Sequence, residues 1–279
     1  MPVLLAVAAA VVWGGSDFLA GVLSRRMPAV VVIAWSQAVG LVAISLVLLV
    51  RAQGLPPAGP WVDWSVLAAV TGSAGLLCFY AALASGTMGV VAPVAAMGAG
   101  VPVLLGVLTG DAPGPWSWAG IAVALVGVVL ASGPELTGGS GARPVLLAVG
   151  AAGCFGLALF ALDRGARGSL LETLWLMRLT SVLGWVVVAA VARSLGTVGR
   201  GERPGLAVVG IGDLGANTLF SVATVLGMVS VVSVLASLYP VVTILLARQV
   251  LRERLRRVQQ VGVAVAMLGI GLIAAGGGR

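Results

Sequence analysis

The sequence predicts an all-α integral membrane protein of ten transmembrane helices, arranged as two inverted five-helix repeats. Three observations predict it. The 279 residues are 60% hydrophobic and 9% charged, with a mean hydropathy of +1.14. A soluble domain is about a quarter charged, so this chain lacks the charge to cover a water-facing surface. Ten stretches are long and apolar enough to cross a bilayer, which takes about 20 residues each. The second half of the chain also repeats the first.

The ten expected spans are 3–24, 29–50, 64–84, 87–108, 116–133, 144–162, 170–195, 205–226, 228–250 and 257–276. The first has no basic start and outruns a signal-peptide core, so it is expected to be retained. Arg25-Arg26-Met27-Pro28 separates it from the second, and Leu55-Pro56-Pro57 follows the second. The third and fourth meet near Ser85-Gly86 in a junction so tight that they must be antiparallel neighbours. Asp111-Ala112-Pro113-Gly114-Pro115 ends the fourth, and the Gly138-Gly139-Ser140-Gly141 stretch follows the fifth. The sixth and seventh flank Arg164 and Arg167, and Gly201-Glu202-Arg203-Pro204 precedes the eighth. A tight junction near Gly227 joins the eighth to the ninth, and an Arg cluster separates the ninth from the tenth. Pro and Gly clusters with charge are the turn signals that end each run.

Displaced by about 142 residues, the first five spans fall on the last five. Ala9, Ala10, Gly14 and Phe18 meet Ala151, Ala152, Gly156 and Phe160; Trp13 meets Phe155, and Arg25 meets Arg167. Asp111 meets Glu253, and Gly120, Val123, Ala124, Gly127 and Leu130 meet Gly262, Val265, Ala266, Gly269 and Leu272. Residues 1–137 and 138–279 are the expected halves. Five is odd, so the second half inserts upside down relative to the first. Inverted repeats around a central site are a recurring transporter plan. Gly numbers 41, about twice the usual fraction. Small residues let helices approach closely in lipid, and they also suit surfaces that slide.

Charge and residue types exclude several functions. The net charge is +7 and all 16 basic residues are Arg. Most fall between apolar runs, which fits membrane topology rather than nucleic-acid binding. With no His, zinc–histidine sites and His-activated nucleophiles are excluded. With no Lys there is no Gly-x-x-x-x-Gly-Lys loop for ATP. Cys78 and Cys154 lie within apolar runs and read as small embedded residues rather than a disulfide. No metal or other cofactor is implied.

Several motifs then resemble the EamA-type branch of the drug/metabolite transporter superfamily. They are Trp13-Gly14-Gly15-Ser16 in the first span and Phe79-Tyr80-Ala81-Ala82-Leu83 closing the third. In the ninth, Ser237-Leu238-Tyr239-Pro240-Val241-Val242-Thr243 precedes Leu251-Arg252-Glu253-Arg254-Leu255, and Gln260-Val261-Gly262 opens the tenth. The resemblance covers essentially the whole chain. The first half departs from the pattern: Asp111 stands where the family has Glu, with no Arg-Leu after it. The resemblance implies export of small metabolites such as amino acids or drug-like compounds, and leaves the substrate open.

An ionisable group in the bilayer core costs at least about 2.5–3.5 kcal/mol, so each one needs an explanation. Asp17 and Asp213 lie roughly 20 Å from the face where the chain starts, and Arg178 roughly 12 Å. Asp213 reads either as a proton-coupling or amine site or as a structural partner of Arg178. Arg178 reads as a clamp for a substrate carboxylate, as that same ion pair, or as a snorkelling side chain. Asp17 is a binding candidate, or a packing element bonded to Ser16 or a neighbouring helix. The remaining substrate-binding candidates are Trp13, Ser16, Trp35, Gln37, Tyr80, Asn217 and Tyr239. Asn217 lies one turn beyond Asp213 on the same face. Pro93, Pro102 and Pro240 are candidate hinges in the fourth and ninth spans, since Pro removes a helical hydrogen bond. Trp61, Trp64, Trp116 and Trp118 read as interfacial anchors.

Counting Arg by side places both termini outside the cytoplasm, whereas the resemblance implies both inside. The charge count is favoured because the Arg252–Arg257 cluster adjoins two helix ends. The leading function is a secondary transporter working by alternating access, driven by a proton or substrate gradient. A passive channel or membrane assembly subunit is the alternative, and an intramembrane enzyme a remote one. The expected setting is the bacterial cytoplasmic membrane, and the partners are a small-molecule substrate and lipid, with the chain as a monomer.

Overall fold

The computed structural model describes all residues except 25, 53, 86–93, 96, 132–141, 193–197, 251–256 and 277–279. Among the described residues it is all-α. The helices are α1 (Pro2–Ser24), α2 (Ala29–Arg51), α3 (Pro60–Ser85), α4 (Gly100–Leu108, after the 3-10 turn Met97–Ala99) and α5 (Pro115–Ala131). They continue with α6 (Ala142–Gly168), α7 (Leu170–Ala192), α8 (Arg203–Leu226), α9 (Val229–Ala236), α10 (Tyr239–Val250) and α11 (Arg257–Gly276). Helices are the expected answer to apolar surroundings, because a helix satisfies its own backbone polar groups where water is absent. Pro2, Pro60 and Pro115 each open a helix, at the position where a missing N–H costs nothing.

Six helices, α1, α2, α3, α6, α7 and α8, are long and apolar enough to cross a membrane. The other four expected spans correspond to shorter apolar helices among the described residues. The fourth span runs into residues outside the description, Pro93 among them. The ninth is broken into α9 and α10. The Ser237 N–H still reaches the Ser233 carbonyl at 2.9 Å, but the Leu238 N–H turns to Leu235 at 3.3 Å. Pro240 follows at once and has no N–H to continue the ladder. The switch from 3-10 to α geometry ahead of Pro102 stands at the corresponding place in the first half.

The packing follows the internal repeat. α1 packs on α8 and α3 on α6; α2 packs on α8 and α3 on α7. A displacement of one repeat exchanges the members of each of these two sets. The pairs α2–α7, α4–α9 and α5–α11 map onto themselves. Aromatic contacts repeat as well. Trp13 meets Phe220 at 5.7 Å between ring centroids, and Phe155 meets Phe79 at 6.1 Å. Two matched glycines make the crossings possible. A Cβ on Gly14 would lie 2.5 Å from Val242 Cβ, and one on Gly156 would lie 2.5 Å from Val101 Cβ. Any larger residue at either place pushes α10 or α4 off its partner.

Polar bonds hold the end of the bundle that carries the chain start. α9 has no side-chain cap of its own. Asp111, from the turn after α4, caps it instead: its Oδ2 accepts the Ser230 N–H and Oγ–H, each at 2.8 Å. α6 runs to Gly168, past the expected end at 162, so Asp163, Arg164 and Arg167 lie in the helix. Asp163 is fully buried and accepts from Arg167 Nε at 2.9 Å. Arg167 Nη2 then donates to the last carbonyls of α8, Thr224 at 2.7 Å and Gly227 at 3.3 Å, groups a helix end leaves open. Arg164 donates to Thr109 Oγ1 beyond α4.

Two of the expected anchors are otherwise employed. Trp116 and Trp118 are exposed, but Trp61 is buried, with Nε1 donating to the Pro57 carbonyl at 3.2 Å. Trp64 packs edge-on against Phe160 at 6.1 Å. A Trp beside an apolar helix pair buries more area in the crossing than at an interface. The junction at Gly227 is tight as expected, with α9 starting two residues later. Cys78 and Cys154 are free thiols.

Replacing Gly156 by Leu is expected to destabilise the protein by about 1–3 kcal/mol through overpacking against α4. Gly153, on the same helix, has open space around it, so Gly153→Ala should be neutral or stabilising by up to ~1 kcal/mol. Thermal unfolding of the two purified variants in detergent checks the contrast.

Candidate functional site

A cavity of about 220 Å³ lies in the middle of the bundle. Its wall comes from both halves of the chain: α1, α2, α3 and the residues just before α4, then α6, α7, α8 and the α9–α10 break. Much of it is apolar, with Ala68, Ala69, Leu76, Phe155, Leu159 and Met177 among the contributors.

The charged part of the wall is built on α7 and α8. α7 starts after Ser169, whose hydroxyl donates to Glu172 Oε2 at 2.5 Å, a Ser-x-x-Glu helix start. Two turns further on sits Arg178, 2% exposed. Its Nη2 donates to Asp213 Oδ2 on α8 at 2.5 Å, and its Nη1 donates to Gln37 Oε1 on α2. The other carboxylate oxygen of Asp213 accepts Trp13 Nε1 from α1 at 3.0 Å and Asn217 Nδ2 at 3.3 Å. Asn217 Nδ2 also bonds the Asp213 carbonyl at 2.7 Å. Four helices thus meet at one carboxylate–guanidinium pair. Its acid side chain is 29% exposed and its base 3%, so the acid is the member that faces the cavity.

Arg178 does not snorkel; the ion pair is one of the readings the sequence allowed, and it is present. Trp13, Asp17, Gln37, Arg178, Asp213, Asn217 and Tyr239 all line the cavity. Asp17 lies one turn past Trp13 on α1 and is exposed. No hydrogen bond or ion pair links it to Ser16 or to another helix among the described residues.

Ser16 stands apart from this group. It is buried on the α1–α8 contact, with its hydroxyl against Gly212. Trp35 is 46% exposed and off the cavity wall. Tyr80 is described as a residue of α3 and Pro240 as a residue of α10, while Pro102 is buried within α4. Pro93 lies outside the described residues, as does the Leu251-Arg252-Glu253-Arg254-Leu255 motif. Sequence reasoning missed Ser73 and Ser181, which also line the cavity. The available signal was a lone hydroxyl in an apolar run, and many such residues merely bond their own backbone.

Comparison with known proteins places this geometry. Residues 1–133 and 142–275 match the model of the EamA-like transporter family. No curated protein matches the chain. Among solved structures the chain is similar to one titled only "Crystal structure of protein". The identity is 19%, the match covers 98% of this chain and 96% of that one, and the TM-score is 0.78. At that identity the likeness is one of fold.

Removing one member of the buried pair leaves the other unpartnered, so Arg178→Met is expected to cost about 3–5 kcal/mol. The double variant Arg178→Met with Asp213→Leu should recover most of that loss. Unfolding curves for the two single variants and the double variant read the coupling directly, and additive losses would show that the pair does not hold these helices together.

Proposed function

The chain belongs to the EamA-like transporter family, and from that premise we propose that it is a secondary carrier of small metabolites working by alternating access. Membership of the family makes it a membrane transporter and not an enzyme. The reading takes 1–137 and 138–279 as two five-helix halves inserted in opposite senses. The exchange of packing pairs between the halves supports it, as do the paired helix breaks ahead of Pro102 and Pro240.

One observation carries the reading: the central cavity draws its wall from both halves and holds a polar network in an otherwise apolar bundle. Carriers of inverted-repeat design place the site at the repeat interface, near interrupted helices. A rocking of one half against the other would open such a cavity first to one side and then to the other. The helix breaks supply the places where backbone angles can change. The carrier would export metabolites as a monomer in a bacterial cytoplasmic membrane, driven by a proton or substrate gradient. Asp213, with its partners Arg178, Trp13 and Asn217, shapes the polar wall of the site.

Counterflow in proteoliposomes tests this. With a panel of neutral and aromatic amino acids and related amines, the protein is expected to give saturable uptake stimulated by substrate on the opposite side. Asp213→Asn should lower it by about tenfold or more, equivalent to ~1.4 kcal/mol. Flux that rises linearly with concentration and shows no stimulation from the opposite side would favour the passive-pore alternative.

A further inference from the structure

We propose that Asp17 docks the positive group of the substrate, and that the cavity takes small amphipathic amines in preference to zwitterions or anions. The inference rests on the carrier reading above and names its substrate class.

Among the described residues, the charged side chains on the cavity wall are Asp17, Arg178 and Asp213. Arg178 is committed: Nη2 to Asp213, Nη1 to Gln37. Its side chain is 3% exposed, so little of the guanidinium is open to an incoming carboxylate. Asp213 is equally committed, with Trp13 and Asn217 on its second oxygen. Asp17 remains. It is exposed, it lines the same cavity, and no cation pairs with it among the described residues. Among the described residues, the wall therefore carries one carboxylate more than its cations balance.

A lone carboxylate facing an apolar cavity is costly unless it takes up a proton or pairs with a cation. A cationic ligand supplies the partner that the protein lacks. A zwitterion would bring its own carboxylate to a wall whose one guanidinium is taken, and an anion would add repulsion. The rest of the wall suits an organic body: Leu76, Phe155 and Leu159 are apolar, and Trp13 sits one turn from Asp17. The volume of about 220 Å³ falls below the range of drug-sized pockets, roughly 300–1,000 Å³. That favours a single ring with a short chain over a large multi-ring cation.

Three probes share one body and differ in charge: 2-phenylethylamine, phenylalanine and 3-phenylpropionate. Calorimetric titration of the purified full-length protein, and counterflow in liposomes, rank them. The amine is expected to bind at least about tenfold more tightly than either of the others. Asp17→Asn should weaken the amine by about tenfold or more, a larger loss than any for phenylalanine, while Asp17→Glu retains the amine. A preference for phenylalanine or phenylpropionate in the unaltered protein would overturn the inference without any variant. So would amine affinity that is unchanged in an Asp17→Asn protein with a normal melting curve. Counterflow of phenylalanine with no amine binding would sink the amine site and keep the carrier. Amine binding that depends on Asp17, with no counterflow of any probe, would keep the site and sink the carrier.

Discussion

A guanidinium inside an apolar helical bundle has to be surrounded by acceptors, and that requirement organises the centre of this protein. Arg178 cannot reach water, so its charge is met by Asp213 from α8 and its second nitrogen by Gln37 from α2. Asp213 needs donors for its other oxygen, and Trp13 and Asn217 provide them. Each bond fixes one helix relative to another. α1, α2, α7 and α8 are thereby brought to a common point without any hydrophobic drive, which lipid does not supply. The cavity is the space left beside that point, walled on the other side by α3 and α6. Because the network uses up both of its charges, Asp17 is the remaining charged group on the wall among the described residues.

Close helix packing and broken helices are the two other constraints, and they pull in opposite directions. Gly14 and Gly156 let helix backbones touch, which makes the crossings rigid. The break at Ser237–Leu238 interrupts a ladder of hydrogen bonds, and ahead of Gly100 the helix changes from 3-10 to α geometry. At the end of the bundle carrying the chain start, Asp111 ties the first half to α9 and Arg164 ties the second half to Thr109. Those bonds are polar and few, and a carrier can exchange such contacts at low energetic cost. Asp163 and Arg167 secure α6 to the end of α8 within one half, so they move with it.

Much of this was legible in the sequence because the bilayer makes hydropathy a strong signal. The membrane class, the order of the apolar helices and the self-similarity could all be read from residues, and the pairing of Arg178 with Asp213 was one of the readings they allowed. What was not legible depended on contacts across the bundle. Trp13 was legible as a motif residue and a binding candidate, but its bond to Asp213 appears once α1 lies on α8. Ser16 and Asp17 are adjacent in sequence, yet one is buried against Gly212 and the other faces the cavity. Helical rotation by a single residue separates those fates. Trp61 and Trp64 sit at a helix start like Trp116 and Trp118, but α6 and α7 happen to cover them. Asp111 carried a repeat match, but its role as a cap borrowed by α9 needed the fold. The break in the ninth span was signalled by Pro240, although its position two residues earlier was not.

The central claim is that one cavity serves both sides of the membrane in turn. Ser73 on α3 lines that cavity and takes no part in the Arg178 network. With Cys78 and Cys154 replaced, Ser73→Cys becomes a single reporter in sealed vesicles. Labelling by a membrane-impermeant thiol reagent, added from one face and then from the other, reads its access. The account predicts labelling from both faces, slowed on both by a bound substrate. Labelling confined to one face under every condition would contradict it.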